Sequence, residues 1–318
     1  MKYFIVVVLL FFIELLYFKF AQRFRIVDKP NERSSHTGEV VRGGGVIFAL
    51  SVLCFEVYFG FPHPYFLSGL ILISFISFVD DIYSLPNRVR LMVHFLAIGL
   101  MFFDTTLIYA PFYWVLLFAV LFTGFINAFN FMDGINGITG VYGLVTIVSL
   151  GVINEIYVPF INTDLIIFLA IGIVIFNYFN FRVKARSFAG DVGSISLPLI
   201  ISFLMIKLYI QCNSPIILLL LTIYGVDSVN TILKRVLRKE NIFMPHRSHL
   251  YQILVHNRGM GHLQVSVLYG MLQLAINFIV LMFLFQDLSK QWLLIISILS
   301  LLSATYWLLI RKYSKNSI

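Results

Sequence analysis

The sequence predicts an all-α, polytopic integral membrane protein. Three observations carry that prediction: composition, the length of the apolar runs, and the distribution of basic residues between them. Of 318 residues, 60% are hydrophobic and 12% charged, with a mean hydropathy of +0.93. A soluble domain of this size can neither bury so much apolar surface nor solvate itself with so few charges. The 33 phenylalanines outnumber the 23 lysines and arginines, which suits helices that face lipid.

A spanning helix needs about 17–25 apolar residues. The first run, 3–22, has no small-residue cleavage site and leads into Lys19, Arg23 and Arg25, so it reads as a retained helix rather than a signal peptide. Runs at 44–61, 65–79 and 91–104 follow, the last two short enough to need flanking residues. The runs 112–131 and 137–153 enclose a polar turn, and 164–180 and 194–210 enclose "RVKARSFAGDVGS". Runs at 215–233, 263–286 and 291–310 complete about eleven spans in one domain, 1–318, with ten as the lower count.

Basic residues collect on the cytoplasmic side of a membrane. With the N-terminus periplasmic, the cytoplasmic segments are about 19–43, 80–90, 132–136, 181–193, 234–262 and the tail from Arg311. They hold every Lys and Arg except Lys2, Lys207 and Lys290. The net charge of +8 is therefore a matter of topology and gives no case for nucleic acid. Cys54 and Cys212 have neither metal-ligand spacing nor a disulfide context.

This topology gives the polar residues meaning. Asp80 and Asp81 end the third span, Asp133 ends the fifth and Asp191 follows the seventh, all at one membrane face. Asn127 and Asn130 are three apart and share a helix face, as do Asn177 and Asn180. Singly, each carboxylate reads equally well as a helix cap, and an Asn pair as glue between helices. Their convergence favours a site. Such oxygen donors suit Mg²⁺, with Mn²⁺ as a substitute, rather than zinc. Basic groups face them: Lys29, Arg33, His36 and Arg42 before three glycines, and His246, Arg247 and His249 in "MPHRSHLYQ". Guanidinium groups fork onto phosphates, and glycines permit close backbone approach.

In order, "PNERSSHTGEVVRGGG", "DDIYSLPNRVR", "NAFNFMDGINGITG", "SFAGDVGS" and "HRSHLYQ" resemble the polyprenyl-phosphate N-acetylhexosamine-1-phosphate transferases, relatives of the phospho-MurNAc-pentapeptide translocase. The first and last of these are most similar to enzymes that initiate O-antigen or other surface polysaccharides. The resemblance implies a Mg-dependent enzyme of the bacterial inner membrane with a cytoplasmic active site. It would join a sugar 1-phosphate from a UDP-N-acetylhexosamine to undecaprenyl phosphate and release UMP. A homodimer is compatible with this class.

By motif position, Asp191 would ligate Mg²⁺ with Asn130, and Asp80 and Asp81 would hold the metal or the lipid phosphate. Phe188 would stack on uracil, with Asp133 and the amides Asn127, Asn177 and Asn180 near the nucleoside. His246, Arg247 and His249 would grip the diphosphate and sugar. Arg88 stands where many relatives carry Lys. "HRSH" replaces the His-rich run of the N-acetylglucosamine and MurNAc-pentapeptide enzymes, which points to a 6-deoxy sugar such as N-acetylfucosamine or N-acetylquinovosamine. The alternative within the family is N-acetylglucosamine.

The lipid phosphate monoester has a second pKa of about 6 and is largely deprotonated at neutral pH. A general base is barely needed, which favours direct attack over an aspartyl-phosphosugar intermediate on Asp80 or Asp81. The buried asparagines are then expected to be satisfied by metal, nucleotide and polar neighbours. A secondary transporter would instead place its polar groups near the midplane of repeated halves. An intramembrane prenyltransferase would show spaced aspartate motifs that "VDDIYS" does not fit.

Overall fold

A computed structural model describes residues 1–28, 39–241, 244 and 247–314. It is a bundle of long helices, and each of the eleven predicted runs forms one. They are α1 (Lys2–Arg23), α2 (Val46–Tyr58), α3 (Pro64–Tyr83), α4 (Asn87–Asp104), α5 (Phe112–Met132), α6 (Ile138–Val152), α7 (Thr163–Asn180), α8 (Gly190–Cys212) and α9 (Thr222–Leu237). The short α10 (Leu250–His256) precedes α11 (His262–Phe283) and α12 (Leu288–Ser314). A π-helical turn extends α6 to Tyr157, and a 3-10 segment from Pro215 leads into α9.

Among the described residues, nine of these stretches are long and apolar enough to cross a membrane. The chain is a multi-pass membrane protein. The other two of the eleven are α2 and α4. At 13 residues α2 extends only about 20 Å, less than a hydrocarbon core of about 30 Å. Arg88, Arg90 and Asp104 charge the two ends of α4. As expected, α3 and α4 recruit flanking residues, and their junction tightens to the turn around Ser84, which takes φ +48°.

The most enclosed helix is α8. It is lined by α2, α3 and α5, and Phe203 stacks on Phe66 at a centroid separation of 3.9 Å. Buried polar groups join α6, α9 and α11: the Tyr142 hydroxyl and the Ile223 N–H donate to Gln273 at 2.7 and 3.0 Å, and Gln273 donates in turn to Asn277. In an apolar surrounding such groups need partners, and each supplies the other. At the end away from the basic residues, Lys2 pairs with Asp164 at 2.7 Å and ties α1 to α7.

One feature departs from the all-α expectation. Residues Val27–Asp28 (β1) and Val40–Val41 (β2) pair antiparallel, with Val27 opposite Val41. Ser187 adds a parallel bridge to Val41. Two-residue strands are too short for any period to register in sequence. The β-branched Val27, Val40 and Val41 suit an extended backbone, and the Phe188 N–H, donating to the Val41 carbonyl at 2.8 Å, holds β2 against the segment before α8.

Candidate active site

The cluster is built where the ends of α3, α4, α5 and α8 meet the segment after β2. Asp81 is its hub, with a side chain wholly out of solvent. Its Oδ1 accepts from the Asp191 N–H at 2.9 Å and from Arg42 Nε at 2.7 Å, and its Oδ2 accepts from the Val192 N–H at 3.1 Å. These amides belong to the first turn of α8, where N–H groups lack helical partners and the dipole favours an anion. Asp81 thus caps α8 from another helix. Arg42 is fixed in turn, since its carbonyl accepts from the Tyr17 hydroxyl of α1.

Asp80 points the other way round the same helix. One oxygen accepts from the Leu85 N–H and closes the α3–α4 turn, and the other meets Arg90 at 3.1 Å. Arg90 also reaches Asp191 Oδ2 at 3.5 Å, and the Asp80 and Asp191 carboxyls lie within hydrogen-bonding reach of each other. Two carboxylates this close repel unless a cation stands between or beside them, and Arg90 supplies one.

Asp133 follows α5, and its carboxyl accepts from the Thr139 hydroxyl. Burial lifts its pKa from 3.8 to about 6; the Thr139 bond and Arg42 oppose the rise, and the Asp81 charge adds to it. Asn130, one turn earlier, accepts from Ser194 Oγ at 3.0 Å across to α8.

The glycines that follow Arg42 pack against the protein itself. A Cβ on Gly45 would lie 2.4 Å from Gly193 Cα, and one on Gly190 would lie 2.5 Å from Asp81 Oδ2. Gly43 and Gly190 also take φ of +84° and +68°, where a side chain is strained. Close backbone approach is real here, and it seats α2 on α8.

Of the metal, nucleotide and polar neighbours expected to satisfy the asparagines, the polar neighbours already serve most of them. Asn127 donates to the Thr123 carbonyl of its own helix, and Asn136 donates to the Arg182 and Val183 carbonyls. Asn180 accepts from the Gly137 N–H and donates to the Ser187 carbonyl, so it clamps two loops together. Among the described residues, Asn177 Oδ1 alone of these amide groups is buried without a partner.

The segment before α10 is placed differently from the expectation. His249 is buried, at 2% exposure, with Nδ1 3.3 Å from Asp227 of α9. Asp227 also accepts from the Leu250 and Tyr251 N–H groups and the Tyr269 hydroxyl, at 3.0, 3.2 and 2.7 Å. His249 is thus part of the anchor that starts α10. Tyr251 continues it by donating to the Phe131 carbonyl beside Asp133. Arg247 is exposed, with His256 within range of its charge. Phe188 is half-buried, its backbone fixed between Val41 and Gly44. His246, Lys29, Arg33 and His36 lie outside the described residues.

The structure therefore joins Asp80, Asp81, Asp191 and Arg42, with Asp133 and Asn130 alongside. It leaves Arg88 exposed and puts Arg90 in the cluster instead. Positions two apart on a helix point about 200° apart, so only one of these arginines can face the carboxylates. Sequence reasoning also missed Asp227. The signal was present, as a lone carboxylate inside the run 215–233.

Fold and site together define a multi-pass membrane protein with a charged, oxygen-rich cluster where four helix ends meet. Residues 63–209, which include every carboxylate of that cluster, match the model of glycosyl transferase family 4. That match covers a little under half of the chain. It is 26% identical over 248 residues to the undecaprenyl-phosphate alpha-N-acetylglucosaminyl 1-phosphate transferase of Thermotoga maritima, covering 76% of each chain. It is 27% identical over 282 residues to the protein of that name in Salmonella typhimurium, covering 79% of this chain and 74% of that one. The Escherichia coli K12 protein of the same name is 25% identical over 266 residues, covering 74% of this chain and 71% of that one.

Proposed function

We propose that this protein transfers an N-acetylhexosamine 1-phosphate from a UDP-sugar to undecaprenyl phosphate at the cytoplasmic face of a bacterial inner membrane. The observation that carries this reading is the meeting of Asp80, Asp81 and Asp191 with Arg42 and Arg90 in a chain that matches this family. The names of the three relatives supply the reaction class. In the step, an oxygen of the lipid phosphate bonds to the β-phosphorus of the UDP-sugar. The bond from that phosphorus to the bridging oxygen breaks, and UMP leaves with the electron pair.

The residues divide the work. Asp81, with both oxygens occupied by N–H donors, orients α8 and presents Asp191; it is a poor nucleophile, which favours direct attack. Arg90 and Arg42 reduce the repulsion between approaching phosphates. Among the described residues no three His, Cys, Asp or Glu side chains converge with metal-ligand geometry. Mg²⁺ commonly takes only one or two carboxylates, with water and substrate phosphate completing its shell. The facing carboxyls of Asp80 and Asp191 fit that pattern, whereas Asn130 is engaged by Ser194. Mg²⁺, with Mn²⁺ as substitute, would there neutralise charge on the transferred phosphate.

For the sugar, the "HRSH" motif supports a 6-deoxy-N-acetylhexosamine and a role in O-antigen or related glycan initiation. The relatives' names favour a second reading, N-acetylglucosamine. UMP release by the purified protein with undecaprenyl phosphate and a panel of UDP-N-acetylhexosamines tests both. Highest turnover on a 6-deoxy sugar supports the first, highest turnover on UDP-N-acetylglucosamine the second, and no UMP with any sugar refutes the transferase reading. Uptake of a solute without turnover would indicate a transporter.

A further inference from the structure

Away from the carboxylate cluster, the last turns of α9 and α12 flank an open cavity of about 250 Å³. Lys234, Leu237 and Arg238 line it from one side, and Trp307, Ile310 and Arg311 from the other. Three cations and three apolar side chains make its wall, with no acid among them. Arg235, in the same turn of α9, is taken by Glu240 at 3.1 Å. Among the described residues no carboxylate ion-pairs with Lys234, Arg238 or Arg311.

Lys234 is more than a basic residue resting at an interface. It is 4% exposed, and its ammonium donates to the Ser248 carbonyl at 2.8 Å. An ammonium has three donors, and that carbonyl uses one. Arg238 and Arg311 are exposed and add two forked donor groups at the rim. The apolar side is equally fixed, because Trp307 Nε1 donates to Asn230 Oδ1 at 3.0 Å and holds the indole as a wall. The flank is also apolar and open: most of α12 is left unburied by the bundle, and Leu237 is 68% exposed.

We propose that this cavity is a second anion site, which takes the phosphate of an anionic phospholipid head group. Basic pockets between spanning helices at the membrane surface recognise such groups, and an indole suits the boundary between head group and chain. The Lys234–Ser248 contact links the cavity to the segment that carries Arg247 and His249, so a bound lipid would brace that segment from behind. The proposal does not depend on the transferase reading, since its test reads lipid retention and not turnover.

The test is native mass spectrometry of the full-length protein in detergent, with phosphatidylglycerol or phosphatidylcholine added at equal concentration. The wild type should retain phosphatidylglycerol about tenfold more than phosphatidylcholine, and Arg238→Gln/Arg311→Gln should lose that preference, as expected for two arginines near the surface. Arg238→Lys/Arg311→Lys, which keeps the charge, should preserve most of it. Brominated phosphatidylglycerol should quench wild-type tryptophan fluorescence more than brominated phosphatidylcholine does, and Trp307→Phe should remove that difference. Equal retention of both lipids by the wild type, or an unchanged preference in the Gln variant, overturns the proposal. Full displacement of the lipid by millimolar inorganic phosphate would assign the site to a soluble phosphate and overturn the lipid source.

Discussion

Replacing Asp81 with Asn separates a structural anchor from a chemical participant. The Asp81 carboxylate accepts two α8 amides and one guanidinium while wholly out of solvent. Asn keeps one acceptor oxygen, but its NH₂ group must then face either the Val192 N–H or the pair formed by the Asp191 N–H and Arg42. Breaking the pair leaves Arg42, whose side chain is 37% exposed and partly solvated, so the cost is that of a lost charge-assisted hydrogen bond, about 1.5–3 kcal/mol. Loss of a charge-assisted cap on the α8 terminus falls within that figure. Thermal unfolding in detergent, followed by reactivity of the half-buried Cys54 and Cys212, reads the loss directly. The expected outcome is a lower midpoint for Asp81→Asn, and a smaller additional loss when Arg42→Gln is added, because the pair is already broken. A variant with a wild-type midpoint and no turnover would refute the anchor and return Asp81 to the chemistry.

Three further expectations follow from the same geometry. Gly45→Ala places a Cβ against Gly193 Cα and the Ala189 carbonyl, backbone that cannot step aside, so stability should fall by about 1–3 kcal/mol in the same assay; an unchanged midpoint would show that α2 does not need this contact. Asp133, at about 6 when folded against 3.8 otherwise, holds more protons in the folded state between those values. Stability should therefore decline as pH rises through that window, and Asp133→Asn should flatten the slope; parallel pH profiles for the two proteins would contradict the burial of this carboxyl. Asp191→Asn removes a charge facing Asp80 and Arg90, and turnover should drop at least about a hundredfold, roughly 2.7 kcal/mol of barrier, whereas near-normal turnover would reduce Asp191 to a helix-start residue.

The spans were legible because hydrocarbon demands long apolar runs and nothing else in the chain competes with that signal. The face shared by Asp80, Asp133 and Asp191 was legible for a related reason: alternating crossings return every second loop to the same side. Side-chain partners were not. Arg88 and Arg90 are both plausible from sequence, and only the starting phase of α4 decides between them. His249 reads as a ligand in a polar loop, yet it is folded onto Asp227, a contact between α9 and the start of α10 that no local pattern encodes. The asparagines looked costly in an apolar run, but carbonyls from the loop at Arg182–Ser187 satisfy two of them, and that loop's path depends on the whole bundle.

The most direct measurement follows the phosphorus. UDP-N-acetylhexosamine carrying ³²P at the β-position, incubated with the purified protein and undecaprenyl phosphate, should pass its label to the lipid fraction and leave the released UMP unlabelled. Transfer should require the lipid phosphate and should fail in Asp191→Asn. Label that stays in the nucleotide fraction, or that reaches lipid equally well without undecaprenyl phosphate, would contradict the account.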